Sequence, residues 1–341
     1  MKHRGIKAAL KSFVVFLAIY LLLSFTVVML IYEGLFARTE VYEYSLFISK
    51  EDVEQLYQSS DASFESRGFP INAVIYGDNK DKIVILGHAK NSSSQDMLPE
   101  AKFFLDNGFS VMTMDFTGHS KSGGNSQYGL QQCVFDMENA IGEVRTKGYS
   151  DIYLYGIGIG GYASAACAAE DGVKGVAAIA AFSSISDMTL QYATDNMSIL
   201  GYLEYPIMML YQYITYGSDI ENSAIKGINE SNVPVIIING TNDETVKYDG
   251  AALINVSDKL RNDNITFKTV ESGYHSSIMR TEEAVDIINN FNKDAYSLYN
   301  DYQGEVPVAD IEALYSSVDK EAVSSLNETL MQEILSVFGI L

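Results

Sequence analysis

Residues 153–161 read Tyr-Leu-Tyr-Gly-Ile-Gly-Ile-Gly-Gly, and this stretch decides the fold. The residues before it, 151–155, predict a buried strand, and the small, alanine-rich residues 160–170 predict a closely packed helix. The chain must turn sharply between the two, and the alternating glycines supply the backbone freedom for that turn. The pattern therefore predicts a strand, a tight turn and a helix in direct succession.

The glycines of this turn fit two motifs. One is G-x-G-x-x-G, which binds dinucleotides in the first βα unit and needs an acidic residue about 20 positions further on. This run lies in mid-chain, and Glu170 and Asp171 come too early. The other motif is G-x-S-x-G, whose central serine attacks the substrate. Gly156 and Gly160 occupy its two glycine positions, but Gly158 stands where the serine belongs.

Composition limits the classes of partner. The chain has 341 residues, enough for one large α/β domain plus an extension, and a net charge of −21. Such an acidic chain repels nucleic acid and anionic lipid headgroups, so no nucleic-acid partner is expected. Cys133 and Cys167 fall in predicted helices with apolar neighbours, which favours two buried thiols over a disulfide. No metal-ligand spacing is present, and no metal is expected.

The N-terminus has the pattern of a membrane anchor. Residues 12–32 are uncharged and, at about 1.5 Å per residue, span roughly the thickness of a bilayer core. The basic residues of 1–11 precede them, so the N-terminus is expected in the cytoplasm and the rest of the chain outside the cell. The alternative is a cleaved signal peptide, whose apolar region is normally about 7–15 residues long. The longer run and the poor cleavage site at 33–38 favour an uncleaved, single-pass anchor.

The remaining chain alternates between strand and helix patterns, which predicts a mostly parallel sheet flanked by helices. A hairpin is predicted over 64–76 and a helix over 248–262. Residues 183–232, rich in Met, Tyr, Leu and Ile, break the alternation and predict two or three short helices. The expected organisation is a cytoplasmic tail (1–11), a transmembrane anchor (12–32), a stalk or linker helix (33–60), an α/β domain (61–301) and a C-terminal helical extension (302–341).

Two polar residues follow predicted strands near the end of the domain. Asp243 closes the sequence Gly-Thr-Asn-Asp after the strand 235–239, and His275 closes Gly-Tyr-His after the strand 265–270. Alone, each has an ordinary explanation, because Asp is common in turns and a loop His is usually solvated. The order glycine turn, Asp, His is nevertheless the order of nucleophile, acid and base in α/β-hydrolases.

A third motif supports the same family. Residues 115–124 read Asp-Phe-Thr-Gly-His-Ser-Lys-Ser-Gly-Gly and resemble the D-x-R-G-x-G-x-S-x-G loop of these proteins, with departures at Thr117 and Ser120. On these motifs, residues 64–301 resemble the serine-aminopeptidase-like branch of the α/β-hydrolase superfamily. The resemblance implies an α/β-hydrolase fold in which 183–232 form a helical cap insertion over a pocket.

The resemblance also implies roles for single residues. These proteins hydrolyse esters or amides without a cofactor: Ser attacks the carbonyl, His takes its proton and Asp orients the His. His275 would be the base, Asp243 the orienting acid and Gly158 a degenerate nucleophile position. The backbone N–H groups of Ile159 and Lys90 would form the oxyanion hole. The implied pocket-loop residues are His88, Gly118 and His119.

Departures cluster in this one site. The central Gly158 removes the nucleophile, and Ala89 stands where the family usually has Gly in the oxyanion loop. Asn239 replaces a frequent His before Gly240. Three hypotheses follow: a pseudoenzyme that binds a small-molecule or peptide ligand or a partner, a hydrolase that uses water or another nucleophile with His275, and a working hydrolase inactivated by substitution at Gly158.

Overall fold

The computed structural model describes residues 2–40 and 44–340. The strands are β1 (Ser59–Asp61), β2 (Phe64–Ser66), β3 (Phe69–Ile71), β4 (Ala73–Tyr76), β5 (Lys82–Gly87), β6 (Ser110–Met114), β7 (Asp151–Ile157), β8 (Val173–Ile179), β9 (Val235–Gly240) and β10 (Ile265–Val270). The helices are α1 (Lys2–Leu35), α2 (Lys50–Glu54), α3 (Leu98–Asp106), α4 (Gln132–Thr146), α5 (Ile159–Ala166), α6 (Ile185–Met197), α7 (Gly201–Tyr216), α8 (Ala224–Glu230), α9 (Glu282–Asp301), α10 (Val308–Ser316), α11 (Lys320–Val323) and α12 (Glu328–Val337).

Eight strands form one sheet in the order β1-β4-β6-β5-β7-β8-β9-β10. The pairs β1–β4 and β4–β6 are antiparallel, and the other pairs are parallel. Every residue of β6 and β9 is buried, as expected for strands covered on both faces. The predicted hairpin is shorter than 64–76: β2 and β3 pair with each other, whereas β4 joins the main sheet.

The glycine turn connects β7 directly to α5, as the sequence predicts. A Cβ atom on Gly160 would lie 2.1 Å from the carbonyl oxygen of Gly87, and one on Gly156 would lie 2.2 Å from the backbone of Gly160. Only glycine permits these backbone contacts, which bring α5 down onto β5 and β7. The helix ends at Ala166, earlier than the predicted 170.

Residues 183–232 contain three α-helices, but they do not act as one unit. Helices α6 and α7 pack against each other, whereas α8 packs on α5 within the domain. The predicted helix over 248–262 is wrong, because the segment contains only a 3-10 helix at Leu253–Lys259. The side chain of Gln191 accepts hydrogen bonds from the N–H groups of Lys247 and Ala251, so this stretch is tied to α6 instead of forming helical turns.

Helix α1 is not followed by a stalk helix. In the described part of 33–60, α1 ends at Leu35 and the next helix is the short α2. Residues 36–39, here called the strap, instead lie along the loop 115–128: Thr39 N–H donates to Gly118 O at 2.9 Å. Phe36 is buried in the core, and the backbone groups of the strap find hydrogen-bond partners on that loop rather than within a helix of their own.

The C-terminal extension is part of the hydrophobic core. Helix α12 contributes Leu330, Met331, Ile334 and Leu335 to the cluster that covers one face of the sheet. The ring of Phe338 lies 4.8 Å from that of Tyr153 in β7. The extension therefore packs on one face of the sheet and is part of the domain.

Candidate active site

Asp243 and His275 meet at the carboxyl end of the sheet. Asp243 follows β9 and His275 follows β10, and the Oδ2 atom of Asp243 lies 2.8 Å from Nδ1 of His275. The other carboxylate oxygen of Asp243 accepts hydrogen bonds from the N–H groups of Thr245 and Val246 at 2.9 and 2.8 Å. The carboxylate is thus buried and held from both sides, which fixes the imidazole ring with Nε2 outward.

Gly158 occupies the turn opposite this imidazole. Its backbone angles, φ 60° and ψ −115°, lie in the left-handed region that favours glycine. A Cβ atom on Gly158 would lie 2.7 Å from Nε2 of His275, closer than real Cβ contacts. The structure therefore brings the three sequence-predicted residues together, with the ring of His275 in the space that a nucleophile side chain would need.

Ile159 directly follows Gly158, and the loop that contains Lys90 approaches Gly158 through Ala89. Ile159 is the first residue of α5, so its N–H has no acceptor within the helix. Ala89, next to Lys90, has its Cβ 3.7 Å from the position of a Cβ on Gly158. The ammonium group of Lys90 lies 5.2 Å from the ring centre of Phe36 in the strap, and burial lowers the pKa of this amine.

A cavity of about 780 Å³ opens in front of His275. The oxyanion loop lines it with Ala89 and Lys90, and α6 lines it with Gln191, Tyr192 and Asp195. Its other walls come from segments that carry no family motif, including Phe47, Arg280, Phe291 and Tyr315. The volume lies in the range of small-molecule sites.

The expected pocket-loop residues do not line this cavity. His88 is fully buried: its Nδ1–H donates to Ala89 O at 2.7 Å, and its Nε2 accepts from Phe116 N–H at 3.0 Å. Burial lowers the pKa of His88 to about 4. His88 is therefore not a pocket-loop residue that faces the cavity, as the resemblance implied. Its neutral imidazole accepts a hydrogen bond from the N–H of Phe116 and supports the loop.

Gly118 and His119 lie beneath the strap. A Cβ atom on Gly118 would lie 2.2 Å from Ser126 O, so the glycine serves a close backbone contact. His119 is buried against His88, and burial lowers its pKa to about 3. Strap and loop exchange backbone hydrogen bonds here, because Ser120 N–H donates to Thr39 O at 2.8 Å. These residues position the loop and do not face the cavity.

The departures in the loop 115–124 are compensated locally. Thr117, where the family has Arg, donates through its N–H and Oγ1 to the buried carboxylate of Asp136 at 2.7 and 2.9 Å. Arg38 of the strap donates to the carbonyl oxygens of Ser122 and Gly124 at 2.9 and 2.8 Å. The sequence did not predict this role of Arg38. The one feature that marks it is its position as a single basic residue shortly after the apolar run 12–32.

Sequence reasoning also missed a buried ion pair at the cavity wall. Arg280 lies 3.1 Å from the carboxylate of Glu100, and both side chains are buried. Its guanidinium group lies 4.5 Å from the ring centre of Phe47. No local motif marks these residues, because Glu100 and Arg280 are 180 positions apart. Among residues 2–40 and 44–340, no three His, Cys, Asp or Glu side chains form a group suited to a metal ion.

Comparison with known proteins gives one family profile and several structures of similar fold. Residues 78–211 match the family profile of the serine aminopeptidases, S33. A Pyrococcus furiosus esterase is similar in structure, with a TM-score of 0.54 and 18% identity over 72% of this chain and 91% of the esterase. The α/β hydrolase GrgF of Penicillium sp. sh18 has a TM-score of 0.50 and 15% identity over 71% of this chain and 98% of its own.

No curated protein matches the sequence significantly. The structural similarities, at less than a fifth identity, establish the fold. The profile match covers residues 78–211, which include the glycine turn but neither Asp243 nor His275. The chain therefore has the α/β-hydrolase fold, its residues 78–211 match the serine aminopeptidase profile, and Gly158 lies in the turn between β7 and α5.

Proposed function

We propose that this chain is a membrane-anchored α/β-hydrolase-family protein that binds a ligand or partner in its cavity without covalent catalysis. One observation carries the proposal: the imidazole of His275 occupies the space in front of Gly158 that a serine side chain would need. The acid and the base have kept their hydrogen bond, but the group that the base would activate is absent. A substitution of this kind preserves a pocket and removes its covalent chemistry.

The polar groups at the inner end of the cavity suggest the ligand class. The Nε2 atom of His275 faces Gly158, and the N–H of Ile159 follows directly at the start of α5, where partial positive charge accumulates. With its Nδ1–H donated to Asp243, the neutral imidazole accepts a hydrogen bond at Nε2 from a ligand hydroxyl or N–H. The N–H of Ile159 suits an oxygen acceptor such as the carbonyl of an ester or amide. We propose that the ligand is a small molecule or peptide that presents such a group.

Anchoring through α1 is the second part of the proposal. Ala9–Leu35 is, within the described residues, a helix long and apolar enough to cross a membrane, and 11% of its most apolar window is buried. Val28, Tyr32 and Phe36 belong to the hydrophobic core of the domain, so cleavage beyond them would open that core. This supports an uncleaved anchor at the cell membrane, with residues 1–11 in the cytoplasm and the domain outside.

The intact Asp243–His275 pair favours a second candidate. The imidazole could act as general base toward a water molecule, since this mode of catalysis contributes about 10²–10⁴-fold to a rate. Such an enzyme would turn over activated esters slowly and form no covalent intermediate. The protein would then be a weak hydrolase rather than a binding protein.

The test uses the full-length protein in lipid nanodiscs, with His275→Ala as the matched control. We expect no labelling by a fluorophosphonate probe and no turnover of a panel of p-nitrophenyl esters and aminoacyl amides. An ester or amide of the panel should raise the melting temperature of the natural protein but not that of the His275→Ala variant. Stoichiometric labelling that disappears in His275→Ala would overturn the proposal. Turnover without labelling, lost in that variant, would establish the second candidate.

A further inference from the structure

Helix α7 runs beside the second half of α1. At one end Tyr20 Oη donates to the carboxylate of Glu204 at 3.0 Å, and at the other the side-chain amide of Gln212 donates to Tyr32 Oη at 2.7 Å. The contact order is the same along both helices, so they are parallel. From Tyr20 to Tyr32 the contact extends for about 18 Å along α1.

The depth of α1 in a membrane sets the depth of α7, an argument that rests on the proposed anchor. The uncharged run 12–32 is bounded by Lys11 and Glu33 and has roughly the length of one bilayer core. If residues 20–32 lay outside the bilayer, only residues 12–19 would remain inside it, and these are far too few to cross it. Residues 20–32 therefore lie within the bilayer. Because α7 lies along this part of α1, it lies at the same depth.

The surface of α7 has the chemistry of a lipid-facing helix. Its exposed face consists of large apolar and tyrosine side chains, among them Leu203 at 62%, Leu210 at 50% and Ile214 at 64% exposed. Ile199, in the turn before α7, is 77% exposed. A contiguous apolar surface of this kind is unusual on a protein surrounded by water.

Glu204 of α7 and Asp195 of α6 are paired with other elements. Glu204 is the one charged residue in the sequence of α7, and both of its oxygens accept hydroxyl hydrogen bonds from α1, from Tyr20 and Ser24. On α6, Asp195 pairs with Lys247 of the α/β domain. The sequence contains no Lys or Arg between Lys174 and Lys226. A carboxylate satisfied from within a helix pair is the arrangement expected inside a bilayer.

We propose that α7 is embedded in the hydrocarbon of the bilayer beside α1, so that the helical cap is a membrane-inserted element rather than a solvent-exposed lid. The partner is the acyl-chain region of the membrane, and the lipid-facing surface is the exposed face of α7 together with the preceding turn. Helix α6 then separates this surface from the cavity, which it lines with Gln191 and Tyr192.

The absence of tryptophan from the chain allows a direct test. Single Trp residues are introduced into the full-length protein in nanodiscs whose lipids carry brominated acyl chains, which quench Trp emission on contact. Leu203→Trp probes α7, and Ile214→Trp probes it independently. Phe16→Trp in α1 is the membrane control, and Tyr296→Trp, at a residue 70% exposed on α9, is the solvent control.

We expect Leu203→Trp and Ile214→Trp to lose the same fraction of emission as Phe16→Trp, while Tyr296→Trp is quenched by aqueous iodide instead. Quenching of both α7 probes only by iodide would overturn the proposal. Emission protected from both quenchers would overturn it too, since a second protein copy would then cover the face. Loss of bromolipid quenching at Phe16→Trp itself would refute the anchor of the proposed function, so the two failures are distinguishable.

Discussion

The Nε2 atom of His275 lies 2.7 Å from the position that a Cβ atom would take on Gly158. The site thus differs from a hydrolase triad by more than a missing hydroxyl. The buried carboxylate of Asp243 holds the imidazole of His275, and this imidazole extends into the volume that a side chain on Gly158 would need. Because the ring is fixed by that hydrogen bond, a new side chain at Gly158 must displace it.

Restoring the nucleophile should not restore the enzyme. Gly158→Ser places a side chain at φ 60°, which costs about 1–3 kcal/mol, and brings its Cβ against the imidazole. We expect a lower melting temperature and little fluorophosphonate labelling. Gly158→Ala, which adds the Cβ without the hydroxyl, is the matched control and should lose the same stability. Full labelling of the Gly158→Ser variant at an unchanged melting temperature would contradict this prediction. It would show that the site lacks only the side chain at position 158.

Asp243 should matter more for stability than His275. Its carboxylate accepts three hydrogen bonds, two from backbone N–H groups and one from the imidazole. Asp243→Ala leaves buried donors unpaired, and we expect a loss of about 2–4 kcal/mol in the free energy of unfolding. His275→Ala removes one of the three bonds and should cost less. Chemical denaturation of both variants measures the difference, and equal losses would contradict this account.

Tyr32 should stabilise the packing of α1 on the domain. Its side chain is 4% exposed, stacks on Phe36 and hydrogen-bonds Gln212. Removal of such a ring typically costs about 3–5 kcal/mol, so Tyr32→Ala should lower the melting temperature clearly. Leu22→Ala, at a residue of α1 that is 68% exposed, is the control and should melt like the natural protein in nanodiscs. Identical melting of the two variants would mean that α1 does not pack on the domain.

The buried histidines should make the fold sensitive to acid. Burial lowers the pKa of His88 to about 4 and that of His119 to about 3, below the usual value near 6.5. As the pH falls from 6.5 to 4, the unfolded chain binds protons that the folded chain excludes, so stability falls by up to about 1.4 kcal/mol per pH unit for each group. His119→Phe should therefore lose less stability than the natural protein between pH 7.5 and 4. Parallel melting curves across this range would refute the assignment.

Glu138 should act in the opposite sense. Burial, with Glu170 and Asp219 nearby, raises its pKa to about 7 from the usual 4.5. The folded chain keeps this proton longer than the unfolded chain, so the associated stability is present at pH 4.5 and is lost as the pH rises through 7. Glu138→Gln should raise the melting temperature at pH 8 but not at pH 4. Glu65→Gln, at the exposed position of strand β2, controls for the removal of one negative charge.

Much of the site follows from local sequence. The glycine turn, Asp243 and His275 each come at the carboxyl end of a predicted strand, and parallel strands bring those ends to one edge of a sheet. Their order along the chain therefore predicts their meeting. The cavity walls at Arg280 and Tyr315, and the ion pair of Arg280 with Glu100, follow from no such rule, because these residues come from segments far apart in sequence.

The sequence by itself determined the α/β-hydrolase fold, the position of the altered turn and the apolar helix at the N-terminus, since strand patterns, motifs and charge are properties of short segments. Only the tertiary structure decided that the ring of His275 fills the space before Gly158, that His88 and His119 are buried rather than pocket-facing, and that the strap and α7 lie against the domain and α1. Each of these depends on side chains from distant segments competing for one volume or one hydrogen-bond partner, and no spacing along the chain encodes that outcome.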